Sequence, residues 1–169
     1  MRLSEYTDYS LRVLMYCAAH PQRLVTIAEL AEHYRVSKNH LMKVVNDLAR
    51  QGVLETARGR GGGLRLLQSA DMIRVGDVVR MSETDFRLVE CFDPATNTCT
   101  LTPSCTLRHV FGDALQAYFR VLDDVTLADL MASPRSAPLS GSGPGSARTD
   151  RRASGAAAVR VALPRRGLR

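Results

Sequence analysis

Thr26-Ile27-Ala28-Glu29-Leu30-Ala31-Glu32-His33-Tyr34-Arg35-Val36-Ser37-Lys38-Asn39-His40-Leu41-Met42-Lys43-Val44-Val45-Asn46-Asp47-Leu48-Ala49-Arg50 is the stretch from which the fold of this 169-residue chain is read. Thr26 and Glu29 have capping-box spacing, in which hydroxyl and carboxylate each satisfy a backbone N–H left over at a helix start. The short helix so opened runs through Leu30 and Ala31 to about His33. Ser37 caps a longer one to about Arg50, with Leu41, Val44, Val45 and Leu48 as its buried stripe, and Gly52 follows as a C-terminal stop. Two helices joined by a short turn make a helix-turn-helix, although periodicity alone fits a plain αα-hairpin equally well.

The residues that follow decide between the two. Val53-Leu54-Glu55-Thr56 and Leu64-Arg65-Leu66-Leu67 flank Arg58-Gly59-Arg60-Gly61-Gly62-Gly63, which predicts a β-hairpin. A hairpin placed directly after a helix-turn-helix is a wing. Arg58 and Arg60 would reach phosphates or the minor groove from it, with Gly61 and Gly62 letting the backbone lie close to the sugar-phosphate chain. On the helix capped by Ser37, the residues Ser37, Lys38, Asn39, His40 and Lys43 cluster near the N-terminus, where a recognition helix meets base edges. Asn pairs bidentately with adenine, Lys contacts guanine or phosphate, and Ser contacts phosphate. A solvated polar face looks the same residue by residue; the basic wing behind it favours double-stranded DNA as the partner.

Upstream, Leu11, Leu14, Met15 and Ala18 recur at helical spacing between Ser4 and Ala19, and His20-Pro21 ends that helix. Downstream, residues 72–82 predict a short helix packing Ile73, Val78 and Val79. Residues 83–104 lack sustained periodicity and predict a loop. From Cys105 to Leu122 a long helix returns, its face formed by Leu107, Val110, Phe111, Ala114, Leu115, Tyr118, Val121 and Leu122. So apolar a helix, following a small winged domain, predicts pairing with its twin across a two-fold axis. A homodimer would match a palindromic operator, with recognition helices about 34–36 Å apart. Folding of this helix onto the first one is the alternative. The fold class is therefore mainly α: a winged helix-turn-helix DNA-binding domain over 1–82, a cysteine loop over 83–104, a long dimerisation helix with a short following helix over 105–132, and a tail over 133–169.

Charge is distributed along the same divisions. Residues 1–65 hold ten basic and six acidic side chains, residues 66–133 five and ten, and residues 134–169 eight Arg against the single Asp150. The formal charge of +6 thus belongs to the tail, and within the body the N-terminal half is the part suited to phosphate. The tail carries seven Ala, five Gly, five Ser and four Pro with no aromatic residue, a composition that predicts disorder and non-specific DNA affinity. No apolar run approaches the roughly 18 residues of a membrane span, so the expectation is a cytoplasmic protein with no membrane partner. Neither a nucleophile–base arrangement nor a phosphate-binding lysine after the glycine run appears, so no enzyme is expected.

Four cysteines stand at 17, 91, 99 and 105. Cys17 lies in the apolar run of the first helix and reads as a small core residue. The other three have the pattern Cys91-x7-Cys99-x5-Cys105, without the paired C-x2-4-C of zinc knuckles. Three thiolates around one loop suit an iron–sulfur cluster, which requires four protein ligands, so one ligand is missing from the local set. Three ordinary thiols are the alternative.

Met1-Arg2-Leu3-Ser4, Thr7-Asp8-Tyr9, Val36-Ser37-Lys38-Asn39-His40-Leu41, the wing over 58–63, Ile73-Arg74-Val75-Gly76-Asp77-Val78-Val79-Arg80 and Thr126-Leu127-Ala128-Asp129-Leu130 together resemble the Rrf2 family, over about residues 1–132. The three-cysteine loop places the resemblance nearest its nitric-oxide-sensing repressors. What this resemblance implies is a bacterial homodimeric repressor with one iron–sulfur cluster per subunit, of the [4Fe–4S] kind, held by Cys91, Cys99 and Cys105. The fourth ligand it implies is Asp8 of the partner subunit, although an Asp in a first helical turn also serves the helix dipole. Nitric oxide would attack at the iron bearing the oxygen ligand, Asp8 and then DNA would be released, and detoxification genes would be expressed. The spacing between Cys91 and Cys99 is longer than in some relatives, which implies a larger loop without removing a ligand. The alternative within the family is a [2Fe–2S] regulator of iron–sulfur or iron homeostasis with a His ligand; His109 stands four residues after Cys105, one beyond the spacing expected. A cluster-free thiol redox sensor and a cluster carrier without a DNA role are the alternatives from other classes.

Overall fold

The computed structural model describes residues 2–132. The expectation of a disordered tail falls on 133–169, outside the described residues.

Helix α1 spans Glu5–Ala19, and its first turn is closed by Ser4, whose Oγ accepts from the Thr7 N–H at 3.2 Å. Two polar side chains are buried on it, Thr7 and Ser10; the Ser10 hydroxyl donates to the Tyr6 carbonyl at 2.8 Å and Thr7 Oγ1 meets Ser4 Oγ at 3.1 Å, so neither burial leaves an unmet polar group. Helix α2 spans Ile27–Tyr34 and helix α3 spans Lys38–Arg50. Between them Arg35 takes a left-handed φ of 55°, the tight turn that lets α3 leave α2 within three residues. Strands β1 (Leu54–Ala57) and β2 (Gly63–Leu66) pair antiparallel with Leu54 opposite Leu66 and Ala57 opposite Gly63.

One core joins these parts. Val13 and Leu14 of α1, Leu30 of α2, Leu41, Val44, Val45 and Leu48 of α3, and Leu54 and Leu64 of the hairpin are all buried in it. The hairpin is also fastened by its backbone, since Val25 and Leu64 exchange N–H···O bonds at 2.9 and 2.8 Å just ahead of α2. The base of the wing therefore moves with the helix-turn-helix.

The helix expected over 72–82 begins later. Ala70–Met72 is a 3-10 turn, Ile73 and Arg74 are extended, and helix α4 covers only Val75–Ser82. The reason is tertiary: Arg74 bridges Thr126, the Val75 N–H donates to the Val125 carbonyl and the Leu127 N–H to that of Ile73, both at 2.9 Å. A strand-like contact with distant chain takes the hydrogen bonds a first helical turn would have used. Ile73, Val78 and Val79 are buried as the sequence pattern requires.

The segment 83–104 is loop with two 3-10 turns, Glu90–Phe92 and Thr102–Ser104. Helix α5 then spans Thr106–Asp123 and helix α6 spans Leu127–Met131, the latter opened by a complete Thr126/Asp129 capping box. No side chain of α5 is buried; Leu107, Val110 and Val121 are each more than half exposed. Among the described residues its main packing is against α4, and Phe119 meets the Phe86 ring edge-on at 4.8 Å; no comparable packing of α5 against α1 is present.

Candidate nucleic-acid interface and cysteine loop

Helix α3 divides cleanly by burial. Leu41, Val44, Val45 and Leu48 are inside, while Lys38, Asn39, His40, Met42, Lys43 and Asn46 are outside. Ser37 does two things at once: its Oγ accepts from the His40 N–H at 3.3 Å, which leaves its own O–H free to donate outward. Lys38, Asn39, His40 and Lys43 project from the first two turns, with the positive end of the helix dipole behind them. Met42 and Asn46 share this exposed face and were not among the residues expected there. Their signal was available in the helical period, since a stripe at 41, 44, 45 and 48 leaves 42 and 46 opposite it, and a thioether suits a thymine methyl.

The wing presents Arg58 and Arg60 at its exposed tip, and among the described residues neither forms an ion pair. Arg65, on β2, is committed across the hairpin to Glu55 at 2.8 Å. Gly61 has a φ of 81°, and a Cβ on Gly62 would overlap the Ala57 carbonyl oxygen. Both glycines are therefore required by the turn itself, whatever they contribute at DNA.

Two ties fix the start of α1, one of them to α3. The Tyr6 hydroxyl on α1 donates to Asp47 Oδ2 at 2.9 Å, and burial together with that carboxylate pushes the phenol up to about 12. Asp47, paired also with Arg50, is held below the usual carboxylate range. At the start of α1 the Ser4 N–H donates to Glu83 Oε1 at 2.6 Å, which joins α1 to the end of α4.

The cysteine loop is ordered by side chains bonding to nearby backbone. Asp93 accepts from the Ala95 N–H and the Thr96 hydroxyl, both at 3.0 Å. Glu90 Oε1 accepts from the Thr98 N–H and hydroxyl at 2.5 and 2.7 Å. Asn97 accepts from the Cys99 N–H at 3.1 Å and donates to Thr102, whose hydroxyl donates to the Cys99 carbonyl at 2.8 Å. These bonds hold both acidic side chains below their ordinary values. Cys91 lies in the first 3-10 turn, Cys99 in the loop and Cys105 at the cap of α5; all three are free thiols and half-buried. Cys17 is buried in the core, and burial pushes its thiol up to about 12.

The donor set fits an iron–sulfur centre in kind: soft, unbridged, partly accessible thiols on one loop, one short of four. Among the described residues no three Cys, His, Asp or Glu side chains converge closely enough to hold a metal ion. Asp8 is on α1, turned to Arg12 of the same helix, with Oδ1 3.0 Å from Nε and Oδ2 2.6 Å from Nη2. His109 is exposed on α5, on a cleft of about 550 Å³ that it shares with Phe86, Phe92 and Arg108. Among the described residues no helix is long and apolar enough to cross a membrane.

Residues 3–133 match the Rrf2 family, described as an iron-dependent transcriptional regulator. The chain is 53% identical over 132 residues to the HTH-type transcriptional regulator NsrR of Bacillus subtilis, a match covering 78% of this chain and 90% of that protein. It is 50% identical over 132 residues to NsrR of Bacillus licheniformis, covering 78% and 92%. Among solved structures it is similar to T. potens IscR, with a TM-score of 0.63 and 23% identity over 78% of this chain and 86% of that one, a likeness of fold.

Proposed function

The chain belongs to the Rrf2 family of transcriptional regulators, which are not enzymes, and from that premise we propose that it is a homodimeric, cytoplasmic repressor that reads a palindromic operator and responds to nitric oxide through a resident iron–sulfur cluster. The observation that carries this reading is the pairing of an exposed polar N-terminus on α3 with three free, half-buried thiols on the loop that leads into α5. Relatives named NsrR at 50% identity and above support the same assignment.

In this reading Asn39 meets an adenine edge, Lys38 and His40 meet guanine or phosphate, and Ser37, Lys43, Arg58 and Arg60 bind phosphates on either side. Gly61 and Gly62 keep the wing turn narrow enough to approach the duplex. The exposed apolar stripe of α5 pairs with the same stripe of a second copy; among the described residues Leu107, Val110 and Val121 stay more than half exposed. Cys91, Cys99 and Cys105 would hold the cluster, and Asp8 of the partner subunit would complete it. When bound, a [4Fe–4S] cluster with one oxygen ligand supplies an iron site at which a small neutral molecule can exchange. The chain's own contribution is geometric. Asp8 lies one turn into the helix whose Ser4 and Tyr6 are tied to Glu83 and to Asp47 of α3, so what Asp8 binds bears on the pose of the recognition helix.

The test is an anaerobic visible spectrum with iron and sulfide counts, titrated with nitric oxide while operator binding is followed in parallel. About four irons per subunit and a brown chromophore that bleaches as DNA is released support the proposal. Two irons with little nitric oxide response would move the assignment to a [2Fe–2S] regulator. A colourless protein that still binds DNA would leave thiol chemistry in its place.

A further inference from the structure

Asp123 is the last residue of α5, and its carboxylate is clasped from α4. Arg80 Nη1 lies 2.6 Å from Oδ1 and Nη2 lies 2.7 Å from Oδ2, a two-point fork. Arg74 Nη1 donates to the Asp123 carbonyl at 2.5 Å. The Arg80 guanidinium stacks over the Phe119 ring at 4.3 Å, one turn back along α5. The Asp123 Oδ1 fills the space that a Cβ on Gly76 would occupy, so any other residue at that position of α4 would displace the carboxylate from the fork. The fork holds the Asp123 carboxyl below the usual carboxylate range. Asp123 and Arg80 are both well exposed to solvent, so this arrangement adds little to stability; its consequence is directional. A bidentate guanidinium–carboxylate pair fixes an orientation, where a single ammonium contact fixes only a distance.

The direction fixed is that of α5 relative to the DNA-reading body. α4 is embedded in that body through Val78 and Val79, whereas the N-terminal half of α5 leaves it with Leu107 and Val110 more than half exposed. If two copies pair along α5, a proposal made above on which this inference rests, the angle at the α4–α5 junction sets how far apart and at what rotation the two recognition helices lie. Each base pair inserted between half-sites adds about 3.4 Å and roughly one-tenth of a turn, so a small change of angle translates into a different preferred spacing.

We propose that Arg80, Asp123 and Gly76 are positioning residues that determine the half-site spacing this regulator selects in its operator. None of them touches DNA. Their substitution relaxes the choice among spacings and leaves the reading of a single half-site alone.

The experiment uses the full chain, as isolated, and an operator obtained by selecting from random duplexes. Binding is then measured on duplexes whose two half-sites are moved apart or together by one and two base pairs, and on a duplex with one half-site. The wild-type protein is expected to prefer one spacing by about tenfold or more, the scale of one mismatched contact. Gly76→Ala, Asp123→Asn and Arg80→Lys are expected to bring all spacings within about threefold of each other, with single half-site affinity within about twofold of wild type. Arg80→Lys keeps the charge but not the fork, so a role of charge alone predicts rescue by Lys, and that rescue would overturn the proposal. Affinity lost equally at every spacing, or a spacing preference identical to wild type in all three variants, would overturn it as well. Sedimentation equilibrium separates the two readings: a monomeric wild-type protein defeats the dimer on which the inference rests, whereas a dimer whose variants keep the wild-type preference defeats the junction alone.

Discussion

Arg23 and the Tyr16 hydroxyl hold the Glu29 carboxyl down to about 2, with the Thr26 N–H a smaller contributor. This side chain does more than the capping box asks of it, because it ties the end of α1 and the loop before α2 to the first turn of α2. A carboxylate near 4.3 in the unfolded chain and near 2 when folded contributes stability that is complete above about pH 4.3 and is lost as the pH falls through the folded value. Glu29→Gln is therefore expected to lower the melting temperature at pH 7 by roughly 2–5 °C, after discounting for solvent screening. The gap between wild type and variant should narrow steadily as melts are taken from about pH 5 down towards about pH 2; a constant gap would mean that the charge is not what matters. Cys17 gives a second expectation at this scale. With its thiol buried and pushed up to about 12, it should resist alkylation in the folded, metal-free protein while Cys91, Cys99 and Cys105 react. Intact mass would show three additions quickly and a fourth only after denaturation.

At the scale of elements, α1, α3 and the hairpin were legible because each carries its own local instructions: a capping serine at 4 and 37, an apolar stripe of helical period, and a glycine run between two short apolar pieces. The late start of α4 was not, because Ile73 and Arg74 are drawn out by backbone bonds to Val125, Thr126 and Leu127, some fifty residues away in sequence. The same reason hides the fork between Arg80 and Asp123, since neither residue differs locally from an ordinary helix-surface charge. Met42 and Asn46, a turn further along α3 than most of the expected face, become part of it only once the buried stripe at 41, 44, 45 and 48 is fixed. Two substitutions separate positioning from reading on α3. Lys43→Ala is expected to weaken binding to all duplexes alike and to reduce the slope of log affinity against log salt by about 1. Asn39→Ala is expected to leave that slope nearly unchanged and to cost about 1–3 kcal/mol on the operator, with relaxed selectivity at one base pair. Loss of the same selectivity in both variants would show that Lys43 also reads a base.

For the whole molecule the net charge is set by residues 134–169, which lie outside the described residues. Residues 134–169 add eight Arg and one Asp to a body that is nearly neutral. Affinity for DNA from such a segment comes from counterion release, which is blind to sequence and steep in salt. Removing it should therefore separate two terms that the intact protein mixes. A chain ending at Ala132 is expected to lose most of its affinity for non-specific duplex at about 50 mM salt, with a shallower salt slope, while its operator-to-random affinity ratio rises. The half-site spacing it selects should not change, because α4, α5 and their junction are intact. Fluorescence anisotropy on operator and random duplexes, across a salt series, measures both quantities in one experiment. If the truncated chain loses operator and random affinity by the same factor at every salt concentration, charge in the tail is not the cause, and the arginines would have to act through contacts specific to the bound complex.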